Sequence, residues 1–207
     1  MPGLEQRPPD RIAAFPAIIP MKGVGAALED MDAIALRGLK RVNATRVFGG
    51  DPSDRRFHPV WEWPVDKRLI AMFPRGSQLA PGARLTWCLP HLLDDVAMDF
   101  PEMTMVIAHM GSRWIAGTLM CLGRKAPNVS SLTRPLHPTL HFGDIEFTAK
   151  EGNYRCLERQ IPGKVLYGSD YPIGGPKEAI AGFKEPLRGG EFVAKLLEDD
   201  ARGSLRI

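Results

Sequence analysis

The stretches MVIAH at residues 105–109 and KVLYGSD at residues 164–170 determine which fold the sequence predicts. Each is an apolar run that ends in a side chain able to bind a metal, His109 in the first and Asp170 in the second. Apolar runs of this length, bounded by turn residues, are typical of buried parallel strands. In α/β enzymes the chemistry lies where such strands end, so His109 and Asp170 are the leading catalytic candidates.

The composition indicates a globular protein with one domain over residues 1–207. The chain has 44% hydrophobic residues and a formal net charge of +3, with scattered lysines and arginines that indicate no nucleic-acid partner. The chain has three cysteines, an odd number, and they lack the spacing of a metal site. Because the sequence also does not open with a signal sequence, we expect a cytoplasmic protein. No stretch approaches the roughly 20 apolar residues of a membrane helix, so we expect no membrane partner.

Hydrophobic periodicity predicts strands that alternate with helices. The predicted strands lie at residues 11–19, 42–48, 69–73, 105–109, 128–132 and 164–170. The predicted helices lie at residues 24–35, 89–100, 114–122 and 191–205. This alternation predicts an α/β fold with parallel strands. An open doubly wound sheet needs five or six strands, whereas a (β/α)8 barrel usually needs about 250 residues, so the count alone slightly favours the open sheet.

The two candidate residues lie in short motifs that allow more than one interpretation. His109 lies in AHMG, where Gly111 lets the chain turn away and leaves an imidazole that can bind a metal or transfer a proton. Asp170 lies in GSDYP, where a buried carboxylate requires a cation or a hydrogen-bonded base nearby. Each motif alone is equally consistent with a structural role, as a strand-end histidine or a turn-capping aspartate.

The order of these motifs resembles the amidohydrolase-related family of metal-dependent TIM barrels. This family contains hydrolases and nonoxidative decarboxylases of the aminocarboxymuconate semialdehyde decarboxylase type. The resemblance is carried by PDRIAAFPAIIPMKGVGAALEDM (9–31), FGGDPSDRRFHP (48–59), FPRGSQLAPG (73–82), LLDDVAMDFPEMTMVIAHMG (92–111), KVLYGSDYP (164–172) and KLLEDDARGSLRI (195–207). It implies a (β/α)8 barrel that is incomplete, because the first two strands of the family are missing.

The resemblance also implies a site and a reaction class. A divalent metal, usually zinc, would lie at the barrel mouth, with Asp170 as a ligand and His109 either as the proton-transfer residue or as a second ligand. The substrate would be a small carboxylated or cyclic organic acid, which undergoes hydrolysis or nonoxidative decarboxylation.

Other side chains are weaker candidates for substrate binding. Arg113 and Trp114 follow AHMG closely and could supply a bidentate fork and an apolar wall for a carboxylate, although ordinary packing at a helix start is the preferred interpretation. Arg75 and Lys40 are weaker still.

The sequence departs from the family pattern at several positions. It contains no His-x-His pair, and Pro74 stands where the family places a histidine ligand on its fifth strand. Pro16 and Pro64 are expected to interrupt the first strand and one helix. Open sheet edges would favour a homo-oligomer that covers them. The alternative to an enzyme is therefore a truncated or decayed relative without metal-dependent catalysis, persisting as a binding partner or a nonfunctional remnant, and enzyme activity stays open.

Overall fold

Parallel strands alternate with helices in the part of the chain that the structure, a computed structural model, describes. The described residues are 14–44, 50–76, 84–109, 120–132, 159–168, 177, 180–181 and 191–205. The strands are β1 (Arg41–Asn43), β2 (Ile70–Pro74), β3 (Thr104–Ala108), β4 (Val129–Leu132) and β5 (Val165–Leu166). The helices are α1 (Val24–Leu36), α2 (His58–Asp66), α3 (Leu93–Asp99), α4 (Met120–Lys125), α5 (Glu191–Ala194) and α6 (Asp200–Leu205). A π-helical turn, Lys195–Asp199, joins the last two helices.

The strand order decides between the two architectures that the strand count allowed. The described sheet has the order β1-β2-β3-β4-β5, and every neighbouring pair is parallel. In a doubly wound sheet the order reverses at a switch point, whereas a barrel adds each strand beside the previous one. The described order has no reversal. The preference for an open sheet that rested on counting strands is therefore wrong, and the winding is that of a barrel.

The two faces of the sheet bury different sets of side chains. On the outer face, the larger cluster packs strand residues such as Phe73 and Ile107 against helix residues such as Trp61 and Leu93. The inner face carries a smaller cluster of Ile70, Val106 and Leu166, with partly buried apolar side chains packed against it. Because successive side chains of a strand point to opposite faces, this division assigns each strand residue to the inner or the outer side.

The C-terminal helix α6 contacts the inner face near the amino-terminal end of the strands. Nη2 of Arg41, the first residue of β1, donates a 2.8 Å hydrogen bond to the carbonyl oxygen of Leu205. The hydroxyls of Ser130 and Ser204 lie 3.3 Å apart. The end of β3, which His109 follows, lies at the opposite, carboxyl edge of the sheet.

Several predicted elements are confirmed, and some have different bounds. The helix predicted at 24–35 is α1, and the strands predicted at 69–73 and 128–132 are β2 and β4. The helix predicted at 89–100 begins with a 3-10 turn, Pro90–Leu92, and becomes α-helical only at Leu93. The helix predicted at 191–205 is present but contains the π-helical turn. The strand predicted at 42–48 and the helix predicted at 114–122 lie partly outside the described residues.

The first predicted strand is reduced to a single bridge in the described residues. Ala17 pairs with Asn43 of β1 in parallel, through hydrogen bonds from the Asn43 amide to the Pro16 carbonyl (2.7 Å) and from the Ile18 amide to the Asn43 carbonyl (2.8 Å). The prediction of a strand over 11–19 is therefore wrong for residues 14–19. Pro16 contributes its carbonyl but has no amide hydrogen to extend the ladder.

Pro64 does not interrupt its helix, contrary to the expectation from sequence. It lies inside α2 and is buried. Proline has no amide hydrogen and so cannot donate the helical hydrogen bond to the carbonyl of residue 60, four residues earlier. The backbone amides of Lys67 and Leu69 still donate hydrogen bonds to the carbonyls of Trp63 (3.1 Å) and Pro64 (2.8 Å), respectively. The helix ends two residues after the proline, so a single bond is lost.

In the described parts of the chain, none of the helices has both the length and the apolar character that crossing a bilayer requires.

Candidate functional site

The carboxyl edge of the sheet brings together the ends of β2 and β3. Pro74, the last residue of β2, pairs in parallel register with Ala108, the last residue of β3. His109 follows directly. Because the carboxyl ends of barrel strands form the catalytic face of this architecture, the structure places His109 where the sequence predicted it.

His109 has an unusual backbone conformation. Its φ is +66°, and the only other non-glycine residue with positive φ in the described parts of the chain is Arg68. The left-handed region costs a residue with a side chain about 1–2 kcal/mol, and histidine tolerates it better than most residues. Such strain is concentrated at functional sites. The regular alternation of side chains between the two faces of the sheet ends with β3 at Ala108. Alternation along β3 therefore does not determine the direction of the half-buried His109 imidazole.

Pro74 belongs to the inner face of the sheet. Met72 and Ile70, two and four residues earlier in β2, belong to the inner cluster, and strand alternation places Pro74 on the same side. Phe73 points the other way, with its ring centroid 5.2 Å from that of Trp61. Proline is tolerated at this strand end, but it supplies no donor atom for a metal.

Arg75, which follows β2, is buried at the same edge. The residue is only 3% exposed. Its Nη1 donates a 2.8 Å hydrogen bond to the Trp87 carbonyl, while Nε and Nη2 have no hydrogen-bond partner in the described structure. Burial lowers the pKa of Arg75 to about 10, an effect that Cys88 and Asp51 partly oppose. The guanidinium is therefore still charged at neutral pH.

The surroundings of Arg75 come from the loops that follow β1 and β2. The Gly76 amide bonds to the Cys88 carbonyl (2.8 Å), which ties the end of β2 to the turn Leu85–Cys88. From the preceding loop, Oδ1 of Asp51 accepts hydrogen bonds from the amide (2.9 Å) and the hydroxyl (2.8 Å) of Ser53. Burial raises the pKa of the Cys88 thiol, and Arg75 lowers it in part. From sequence alone, Arg75 is a weaker candidate for binding a carboxylate than Arg113 and Trp114.

The described residues do not by themselves fit a divalent metal. They contain no cluster of three or more His, Cys, Asp or Glu side chains that could hold an ion. Asp170, the predicted ligand, and Arg113 and Trp114, the predicted substrate-binding residues, lie outside the described residues. His109 is therefore the predicted site residue that the structure positions, and its chemical role stays a prediction.

Comparison with known proteins assigns the chain to a family. The family model for amidohydrolases matches residues 3–205. The chain belongs to the amidohydrolase family. The resemblance inferred from its motifs is confirmed. Comparison of this amidohydrolase-family chain with curated proteins finds no match.

Solved structures similar to this amidohydrolase-family chain show the barrel fold. An uncharacterised TIM-barrel protein from Bordetella bronchiseptica has 21% sequence identity and a TM-score of 0.76, over 99% of this chain and 70% of that one. A 5-carboxyvanillate decarboxylase from Sphingomonas paucimobilis has 16% identity and a TM-score of 0.68, over 100% of this chain and 70% of that one. A dihydroxybenzoic acid decarboxylase from Polaromonas, with bound manganese and the inhibitor 2-nitroresorcinol, has 14% identity and a TM-score of 0.67, over 98% of this chain and 71% of that one.

The barrel prediction is confirmed by these similarities together with the strand order. Nearly all of the 207 residues of this chain align with these barrels. The chain spans only about 70% of the length of each barrel. The chain therefore has the fold of an incomplete (β/α)8 barrel.

Proposed function

We propose that this chain is a metal-dependent enzyme that acts on a small carboxylated or cyclic organic acid, by nonoxidative decarboxylation or by hydrolysis. The observation that carries the proposal is His109, held in a left-handed conformation at the carboxyl edge of a barrel sheet. Membership of the amidohydrolase family and a fold shared with decarboxylases support it. We also propose a cytoplasmic location, on the basis of the odd cysteine number.

The proposed role of His109 is proton transfer. In a decarboxylation, the bond between the carboxyl group and the substrate carbon breaks, carbon dioxide leaves, and the electron pair stays on that carbon. The imidazolium of His109 then supplies the proton that the carbon takes up. In a hydrolysis, neutral His109 would remove a proton from the attacking water. An imidazole suits both roles because its ordinary pKa lies near neutrality.

The remaining roles follow the family resemblance and are part of the same proposal. Asp170 would be a ligand of a divalent metal, zinc or manganese. When bound, the metal supplies polarisation of a substrate carboxylate or carbonyl. In the alternative in which His109 does not transfer the proton, it would be a second ligand. Manganese is present in the structure of the Polaromonas decarboxylase. Arg113 and Trp114 would hold the substrate carboxylate by a bidentate fork and an apolar wall.

The test compares His109→Asn with the parent on a small panel of substrates. Asparagine also tolerates the left-handed conformation but cannot transfer a proton at neutral pH. The panel consists of 2,6-dihydroxybenzoate, 5-carboxyvanillate and 2-pyrone-4,6-dicarboxylate, with zinc or manganese added, and turnover is followed by absorbance and by released carbon dioxide. We expect kcat to fall at least about 100-fold in His109→Asn.

The matched control is His91→Asn, since His91 is an exposed histidine of the turn Pro90–Leu92. This variant should retain parental turnover. Full activity of His109→Asn on a substrate that the parent converts would show that His109 is not the proton-transfer residue.

A second candidate function is a relative that has lost metal-dependent catalysis and acts as a binding partner. Pro74 favours this second candidate, because it occupies an inner-face position at the end of β2 and its side chain has no donor atom for a metal. Metal analysis separates the two candidates. If zinc, manganese and iron all stay substoichiometric in the purified protein after reconstitution, the enzyme proposal fails and this one stands.

A further inference from the structure

The guanidinium of Arg75 is a buried charge whose hydrogen-bonding groups are only partly satisfied in the described structure. A charged side chain that is only 3% exposed has lost almost all of its hydration, and proteins normally compensate such a loss with a carboxylate or a full set of hydrogen bonds. Among the described residues, the Arg75 side chain makes one hydrogen bond, from Nη1 to the Trp87 carbonyl. Its Nε and Nη2 have no hydrogen-bond partner in the described structure.

In the described structure, the acidic groups that act on Arg75 leave its Nε and Nη2 without a hydrogen bond. The Asp51 carboxylate acts on Arg75 through its charge, which raises the pKa of the guanidinium in part. The Oδ1 atom of Asp51 is engaged by two hydrogen bonds from Ser53, and burial raises the pKa of the Cys88 thiol, which keeps it neutral at physiological pH. A buried donor without a partner calls for a physical explanation, such as a bound ion or a role in ligand binding.

We propose that Arg75 is the binding site for a carboxylate group of the ligand, received by Nε and Nη2 between the loops that follow β1 and β2. These two atoms lie on one side of the planar guanidinium fork, and that pair matches the two oxygens of a carboxylate. Arg75 follows Pro74 at the edge of the sheet where His109 also stands. The identification of this carboxylate as part of the substrate rests on the proposed function. The binding of an anion at Arg75 does not depend on that function.

The position of Arg75 has a kinetic consequence. Because the guanidinium is covered, a ligand reaches it only after the surrounding side chains move. Association that requires a conformational change is slower than the usual 10⁵–10⁷ M⁻¹s⁻¹ range, given as an order of magnitude. We therefore expect slow association of the anion.

The experiment measures binding of benzoate to metal-free protein by calorimetry, with benzamide as the uncharged probe of the same shape. We expect the parent to bind benzoate and to bind benzamide at least about tenfold more weakly. Arg75→Met should weaken benzoate binding about 10- to 100-fold. Arg75→Lys keeps the charge without the fork and should give an intermediate affinity. Arg37→Met removes an exposed arginine at the end of α1 and should leave benzoate binding unchanged.

Thermal unfolding of the same variants separates a binding role from a structural one. A binding role predicts that Arg75→Met unfolds at the same or a higher temperature, since a buried charge with unpaired donors has been removed. A large drop in unfolding temperature with unchanged benzoate affinity would overturn the proposal, as would failure of the parent to bind benzoate. If Arg75→Met fails to fold, equal affinity of Arg75→Lys and the parent overturns it.

The outcome is independent of the proposed enzyme function. Benzoate binding that depends on Arg75, in a protein without turnover or bound metal, would leave the anion site standing while the enzyme proposal falls. Turnover without a contribution from Arg75 would do the reverse.

Discussion

Pro74 ends β2, and His109 directly follows the neighbouring strand β3. Their side chains determine which donor atoms are available at this edge of the sheet. His109 brings an imidazole in a conformation that few side chains adopt. Pro74 occupies an inner-face position beside Ala108 without a donor atom. Arg75 adds a buried cation next to them. The imidazole, the missing donor atom and the buried cation all lie within a few positions of two strand ends.

Replacement of Pro74 by histidine should improve metal binding. An imidazole at this position would start on the inner face, at the edge where His109 stands, and histidine is among the commonest zinc ligands. We expect Pro74→His to bind zinc at least about tenfold more tightly than the parent, which corresponds to about 1.4 kcal/mol, as measured by competition with a chromogenic chelator.

Pro74→Ala is the control for this prediction, because it removes the proline ring without adding a ligand. Equal zinc affinities for Pro74→His and Pro74→Ala would mean that the site is limited by other ligands rather than by residue 74.

At the scale of elements, α4 and the segment before β5 form one packed unit. Nζ of Lys164 donates to the carbonyls of Gly123 (2.6 Å) and Ala126 (2.8 Å) at the C-terminal end of α4, where a cation is favoured by the helix dipole. Burial lowers the pKa of this lysine. Ile161, which is 1% exposed, packs on Gly123. These contacts hold the start of β5, the strand that leads to the GSDYP motif.

Gly123→Ala should destabilise this unit. An added Cβ would lie 2.7 Å from Cγ2 of Ile161, and the β-branched isoleucine has little rotamer freedom to move away. We expect a loss of about 1–3 kcal/mol in the free energy of unfolding, measured by urea denaturation.

Gly25→Ala in α1 is the matched control for the helical substitution. Nothing lies within 4 Å of the added Cβ there, so alanine should stabilise the protein by about 0.5 kcal/mol through its better helix propensity. Similar effects at both positions would contradict the steric argument for Gly123.

On the scale of the whole molecule, the described sheet winds as a barrel but has two edge strands. Within the described residues, β1 pairs with β2 on one side and makes only the Ala17 bridge on the other. β5 pairs with β4, and no further strand lies beside it in the described residues. Edge strands present unpaired amide and carbonyl groups that favour pairing with another chain.

We therefore expect a homo-oligomer in solution, with a dimer as the simplest closed form. Light scattering coupled to size-exclusion chromatography should give about twice the chain mass of 22.9 kDa, and the mass should stay constant on dilution through the micromolar range. A monomer mass across that range would show that the edges are covered within the chain.

The sequence alone was enough to predict features that depend on local pattern. Hydrophobic periodicity identified α1, β2 and β4 and placed His109 directly after β3, because burial of one face imposes a spacing that is readable along the chain. The motif order also led to the amidohydrolase family. Among the described residues, the tertiary structure decided what depends on positions far apart in sequence. These features are the unreversed strand order, the inward position of Pro74, the continuity of α2 through Pro64, and the burial of Arg75 with two donors that lack a partner there. Strand register and side-chain burial arise from contacts between distant segments, and no local spacing records them.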